Sequence, residues 1–406
     1  MDFLLETLDN GIRLVHYQVH SVVAHCGLII NTGSEKESDD EHGLVHLIEH
    51  MLFKGTKHRK AFHILSRLED VGGELNAYTT KEETAVYASF LAHHYERAIE
   101  LISDVISNSV FPMKEIENEK EVIIEEINSY KDNPGELIFD EFEEIIFKDQ
   151  PIGRNILGKP ETVRLFTREK VMSFIRNNYN TDQMVFCSVG NISNTKLLTL
   201  FKKYFSAVPE KRTEKKPARE LIYIPSYNVR EMNTWQCHCI TGNIAYNLKD
   251  NRRMGMFLIN NILGGQGLNS RLNMSLREKN GLAYNVESNY NPYCETGVFS
   301  VYFGTDKQNL EKSIDITERE LNKLRTTRLG PVQLSKARNQ IKGYLARGYE
   351  NYESLMLSLG KSMMVFNTIE TLEDQYKRID FLTSSELLET ANDIFDKSKL
   401  STLIYK

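Results

Sequence analysis

The chain lacks the marks of secreted, membrane-spanning and nucleic-acid-binding proteins. Its 406 residues contain five cysteines, at 26, 187, 237, 239 and 294, and no C-x-x-C pair. An odd count at this spacing argues against a disulfide framework and for a reducing compartment. No apolar run reaches the roughly eighteen residues that a membrane-spanning helix needs. The start, Met1 to Tyr17, has no basic stretch followed by an apolar core; it runs into Leu8-Asp9-Asn10-Gly11, a hairpin signal. A cytoplasmic protein without a membrane partner is therefore expected. A net charge of −6 and a pI near 6.1 exclude a strong overall basic footprint for nucleic acid. Low-complexity tracts are absent as well. What remains, 41% hydrophobic and 26% charged, is an ordinary globular composition with room for two or more domains.

Against this plain background one pentad stands out, His46-Leu47-Ile48-Glu49-His50. Leu44, Val45, Leu47, Ile48, Met51, Leu52 and Phe53 follow a helical rhythm that Gly55 stops, and Asp39, Asp40 and Glu41 precede it, where acids suit the N-terminal dipole. On a helix the pattern H-x-x-E-H puts two imidazoles and a carboxylate on one face. Two histidines one turn apart can hold a tetrahedral Zn²⁺, but a catalytic site needs a third protein ligand and an open position. A second helix, Glu115 to Asn128, offers candidates. Ile116, Val122, Ile123 and Ile127 mark its apolar side, and Glu119 and Glu126 lie two turns apart along one face.

Three ordered blocks, His46 to Thr56 (HLIEHMLFKGT), Val71 to Thr80 (VGGELNAYTT) and Glu119 to Glu126 (EKEVIIEE), resemble the pitrilysin/insulysin and mitochondrial processing peptidase family of inverted-zincin metallopeptidases. In that family a ligand glutamate follows the pentad by roughly seventy-five residues, the place that Glu126 occupies. The resemblance implies a short, half-length, bacterial-type member. It also implies one Zn²⁺ per chain held by His46, His50 and Glu126, with Glu49 as general base on a zinc-bound water. Glu119 is carried over as the acid that partners a ligating histidine's other N–H.

Gly72 to Leu91 reads as two strands, Leu75, Ala77 and Tyr78 after a Gly-Gly turn, then Thr84 to Phe90. The resemblance makes this region an edge strand near the zinc. An extended peptide could add to such an edge through main-chain hydrogen bonds, which makes Asn76 and Ala77 expected substrate contacts.

Val208 to Glu220 (VPEKRTEKKPARE), with prolines at 209 and 217, is the linker candidate and divides the chain nearly in half. The expected domains are 1–207, a zinc-binding catalytic module; 208–220, the linker; and 221–406, a homologous module without the metal. Leu47 to Leu52 can be laid over Leu258 to Leu263, with asparagine at 260 and 261 where the first half has Glu49 and His50. Ala24-His25-Cys26 and Cys237-His238-Cys239 match on a similar shift, both in strand-like runs. Ser270 to Tyr284 (SRLNMSLREKNGLAY) resembles a family block whose arginine and tyrosine reach the zinc site from the opposite module; here these are Arg277 and Tyr284, fit to donate to a substrate carbonyl or oxyanion. Gly264-Gly265-Gln266-Gly267 lacks the Gly-Lys-Ser/Thr ending of a phosphate loop and reads as a turn after a helix.

The expected fold is α+β, two homologous modules each with a mixed or antiparallel sheet covered by helices, as in mitochondrial processing peptidase. The expected function is zinc endopeptidase action on peptides or short unfolded segments in an enclosed cavity. Half-length members of the resembled family assemble two chains, so a homodimer or a heterodimer with a homologous subunit is expected. The competing reading is a noncatalytic peptide-binding or assembly subunit of the same fold.

Overall fold

The computed structural model describes residues 3–213, 221–232 and 234–406. The chain divides into two α+β units. Unit 1 comprises Met1–Asn128, Arg154–Pro217 and Arg347–Thr371; unit 2 comprises Ser129–Gly153, Ala218–Ala346 and Leu372–Lys406. This departs from a single cut at 208–220 in two segments, 129–153 and 347–371, each of which belongs to the unit built mainly from the other half. Of the expected linker, residues 214–220 lie outside the described residues.

Unit 1 holds a six-stranded sheet of β1 (Phe3–Thr7), β2 (Arg13–Gln18), β3 (Val23–Ile30), β4 (Glu74–Thr79), β5 (Thr84–Leu91) and β6 (Met184–Gly190), ordered β1-β2-β6-β3-β5-β4. Every neighbouring pair is antiparallel except β2 with β6. The Leu8 to Gly11 signal is a tight turn between β1 and β2, with Gly11 at φ +94°, a conformation that suits glycine. The strand period of two sorts β3 onto two cores. Ala24, Cys26, Leu28 and Ile30 meet the helices Leu44–Met51 and Tyr95–Asn108 on one face, and Ile29 faces the other way. On that second face lies the helix Tyr352–Phe366, burying Leu355, Met356, Leu359 and Met363 against Val15, Ile29, Val185 and Cys187. Gly360 permits the close approach, because a Cβ there would meet Ile29 Cδ1 at 2.6 Å and Cys187 Sγ at 2.9 Å.

Unit 2 holds β7 (Tyr227–Arg230), β8 (Cys237–Ile244), β9 (Ala283–Pro292), β10 (Gly297–Thr305) and β11 (Ser401–Tyr405), ordered β7-β11-β8-β10-β9. Among the described residues its only parallel pair is β7 with β11. Strand for strand this repeats β2-β6-β3-β5-β4, including the place of the parallel pair, so the faint internal repeat has a topological counterpart. The helix Pro134–Ile146 buries Ile138, Phe142 and Ile146 against Ile240, Tyr302, Leu403 and Tyr405. Each sheet is thus covered on one face by a helix contributed from the other half of the sequence. The Cys237-His238-Cys239 run lies on β8 with both thiols buried, and His238 Nδ1 is 2.8 Å from the Tyr302 hydroxyl.

Candidate metal centre

The pentad forms the helix Leu44–Met51, whose apolar residues fill the unit 1 core. Asp39, Asp40 and Glu41, expected to serve this helix's N-terminus, form a separate single turn instead. There Glu41 caps Ser38, while Asp39 pairs with Arg154 and Asp40 with Lys170. Glu37 takes the helix end. Buried at 2% exposure, its two oxygens accept the N–H groups of Gly43, at 3.0 Å, and Val45, at 2.8 Å. These are donors that a helix's first turn leaves without partners. Burial pushes this carboxyl up to about 8, against the pull of the Val45 and Gly43 bonds. Gly43 stands at φ +95° in contact with Gly158; a Cβ on it would meet Leu157 O at 2.8 Å and Gly158 Cα at 2.9 Å. His42 Nε2 to Asn155 O, at 2.7 Å, and Thr162 Oγ1 to His42 O, at 2.7 Å, complete the fixing of the helix's entry.

Helical spacing brings the His46 and His50 rings to 4.6 Å between centroids, edge to face. His46 is buried, and burial with the neighbouring His50 pushes its pKa down to about 4, so it is neutral at pH 7, the form that binds a metal. The expected acidic helix runs Met113–Lys131. From it Glu126 places Oε2 3.8 Å from His46 Nε2 and 3.9 Å from His50 Nε2. All three donors lie within 4.8 Å of one another, and they form the one His/Cys/Asp/Glu cluster able to hold a metal among the described residues. Ligand bonds of about 2.0–2.2 Å around a tetrahedral ion separate donors by roughly 3.3–3.6 Å, so closing the three donors onto Zn²⁺ takes side-chain shifts of about 1 Å or less. Two imidazoles and a carboxylate are also the donor set of known catalytic zinc sites, and the residues fit the ion.

Glu119, two turns before Glu126, has a side chain 9% exposed; its Oε2 accepts from His50 Nδ1 at 3.0 Å. Its other oxygen is 2.5 Å from Lys54 Nζ. Burial acts to raise this carboxyl, and the bonds from Lys54 and His50 outweigh it, leaving Glu119 below the usual carboxylate range. Glu49 is half-buried on the pentad helix. Burial raises its carboxyl above the ordinary range, with Thr79 and His50 opposing. Thr79 ends β4, against which the pentad helix packs. β4 is the outermost strand of its sheet; Asn76 is exposed on it and Ala77 packs partly against the core.

Arg277 and Tyr284 belong to unit 2, where they meet each other. Arg277 lies in a π-helical turn, Asn273–Glu278, with its guanidinium carbon 5.3 Å from the centre of the Tyr284 ring on β9. Tyr284 is 74% exposed. Lys54 was not singled out in the sequence although it stands inside the block His46 to Thr56. Its place one helical turn after His50 was the signal available.

The chain is similar to known proteins along almost its whole length. Residues 14–160 match the family model described as insulinase, peptidase family M16, and residues 165–341 match the model described as the M16 inactive domain. An "uncharacterized zinc protease" of Rickettsia bellii is 31% identical over 407 aligned positions, covering 99% of this chain and 97% of the relative. One of Rickettsia felis is 32% identical with the same coverage, and one of Bacillus subtilis is 29% identical, covering 98% and 97%. A crystal structure of a protease from Helicobacter pylori superposes with a TM-score of 0.91 at 20% identity, covering 100% of this chain and 99% of that one. A structure from Pseudomonas fluorescens described as a peptidase M16 inactive domain gives 0.92 at 19%, covering 100% and 98%. At these identities the structures speak for the fold.

Proposed function

This chain belongs to peptidase family M16, and from that premise we propose that it is a zinc metalloendopeptidase cleaving peptides or short unfolded segments. One observation carries the reading: three metal donors from two helices lie within 4.8 Å of one another, and the helix that supplies His46 and His50 also carries Glu49, a carboxylate raised by burial. His46, His50 and Glu126 hold one Zn²⁺ per chain. When bound, the ion supplies a Lewis acid that acidifies water toward neutrality and draws charge from a peptide carbonyl. Glu49 takes the proton from the attacking water and returns it to the leaving amine. Its burial suits this work, since a base whose pKa rises toward the working pH both accepts and releases a proton readily. Glu119 holds the His50 ring by Nδ1.

The substrate adds as an extended strand to the open edge of β4, contacting Asn76 and Ala77. Arg277 and Tyr284 donate to its carbonyl or to the oxyanion, from the same chain or a partner. The working form is a dimer, with itself or with a homologous subunit, enclosing a cavity, and it is cytoplasmic. No described helix is long and apolar enough to cross a membrane.

The test is zinc content together with cleavage of a mixed unfolded-peptide library, wild type against Glu49→Gln. Cleavage by wild type alone at equal zinc occupancy supports the mechanism. Zinc in both without cleavage in either points to a noncatalytic subunit or a missing partner chain, and absence of zinc from wild type overturns the reading. Sedimentation of the intact chain, alone and with any homologous subunit, measures the assembly.

A further inference from the structure

The two ligating histidines are not held alike. His46 Nδ1 is buried and has no hydrogen-bond partner among the described residues, so this ring is oriented by packing in the core around it. His50 is more open, with 23% of its side chain exposed, and a side-chain bond to Glu119 at 3.0 Å holds its Nδ1. The aim of the second imidazole therefore depends on where the Glu119 carboxylate points. A carboxylate at the end of a glutamate turns in a broad, shallow torsional well and does not fix its own direction. One bond to a half-open histidine leaves it free to swing.

Lys54 removes that freedom. The chain continues to turn after the pentad helix, Lys54 N–H donating to Met51 O at 3.1 Å, and so the lysine falls one turn beyond His50 toward the acidic helix. Its Nζ reaches Glu119 Oε1 at 2.5 Å while Oε2 serves His50. Each oxygen of a carboxylate 9% exposed thus has its own charge-assisted donor. A buried carboxylate needs such pairing to stay ionised and in place. We propose that Lys54 is a positioning residue of the metal centre: by anchoring one oxygen of Glu119 it fixes the other on His50 Nδ1 and so aims His50 Nε2 at the ion. The proposal rests on the zinc reading above. Lys54 touches neither metal nor substrate and acts only through Glu119.

Its test is zinc affinity of the full-length protein, stripped and titrated against a competing chromophoric chelator at one pH. The variants are Lys54→Met, Lys54→Gln, Lys54→Arg, Glu119→Gln and the double variant Lys54→Met/Glu119→Gln. Partners that orient a ligating histidine are worth roughly 10–100-fold in metal affinity. Lys54→Met and Lys54→Gln should weaken zinc binding about tenfold, while Lys54→Arg, which restores a cationic donor, should stay within about threefold of wild type. In the Glu119→Gln background the loss of Lys54 should cost less than about twofold, because its lever is gone. Lys54→Met or Lys54→Gln with wild-type affinity overturns the proposal and leaves the metal centre standing. So does a full tenfold loss in the Glu119→Gln background, which would mean that Lys54 acts by another route. A wild type that binds no zinc overturns the metal reading and this inference together.

Discussion

Glu37 gives the sharpest test of how the pentad helix is anchored. Its carboxyl lies at about 8 in the folded chain because of burial, against an ordinary value of 4.5 once unfolded. Between those two values the folded state carries a proton that the unfolded state has lost. The folded form is then the one that binds more protons, and stability must fall as pH rises. At about 1.4 kcal/mol per unit of separation, raising the pH from 5 to 7 should cost on the order of 2 kcal/mol from this one group. Above pH 8 both states are ionised and the loss levels off. Glu37→Gln has no such proton. Its amide offers one oxygen where the two N–H groups of Gly43 and Val45 need acceptors, so it should carry a constant penalty of roughly 1–3 kcal/mol. The assay is urea unfolding of the metal-free protein at pH 5, 6, 7 and 8, reading the midpoint difference between wild type and Glu37→Gln after checking that the slopes agree. The variant should be clearly weaker at pH 5 and should close on wild type, or pass it, by pH 8. Curves that stay parallel across this range refute the argument, because they would mean that Glu37 is ionised throughout and caps the helix as a carboxylate.

Three other outcomes are expected. Glu49→Gln should keep its zinc and lose peptide cleavage by about 10²–10⁴-fold, measured with the unfolded-peptide library; loss of zinc along with activity would mean that Glu49 is structural. Gly360→Ala and Gly348→Ala both gain roughly 1 kcal/mol of helix propensity, but only at 360 does the new Cβ meet atoms, Ile29 Cδ1 at 2.6 Å and Cys187 Sγ at 2.9 Å, while nothing lies within 4 Å at 348. Urea midpoints should therefore rise for 348 and fall for 360 after an overpacking cost of about 1–3 kcal/mol, and equal gains would mean that the helix Tyr352–Phe366 does not lie on β3 and β6. Tyr284→Phe should lower kcat about 10²-fold with zinc affinity unchanged, and an unchanged kcat would remove Tyr284 from the chemistry.

The pentad, the acidic helix and the two strands after Gly72 were legible because each depends on local periodicity, 3.6 residues or two, and on spacing along one helix. What was not legible depends on pairings across the chain. Within the acidic run 35–41 the sequence gives no reason to set Glu37 apart from Asp39, Asp40 and Glu41. Only the fold buries the first and leaves Asp39 and Asp40 on the surface. Lys54 was hidden in the same way, as one cation after an apolar run whose partner lies on another helix. Glu119 was legible as an acid on the same face as Glu126, but its burial and its bond to Lys54 come from the packing of two helices far apart in sequence.

The helix exchange was the least legible feature, and it bears on how the halves came to differ. The stripes Ile138, Phe142, Ile146 and Leu355, Met356, Leu359, Met363 announce amphipathic helices but not the sheets that they cover. With each half lending a helix to the other's sheet, neither core is complete from one half of the sequence alone. Removing residues 347–371 would bare Val15, Ile29, Val185 and Cys187, all fully buried, at roughly 1.5–3 kcal/mol for each large apolar side chain exposed. On the proposed reading the second half lacks the metal ligands, with Asn260 and Asn261 where the first has Glu49 and His50, yet losing it would strip this helix from the first half's sheet. The exchange gives a physical reason for a chain to keep both sheets when, as proposed, the metal ligands His46, His50 and Glu126 all come from the first half of the sequence.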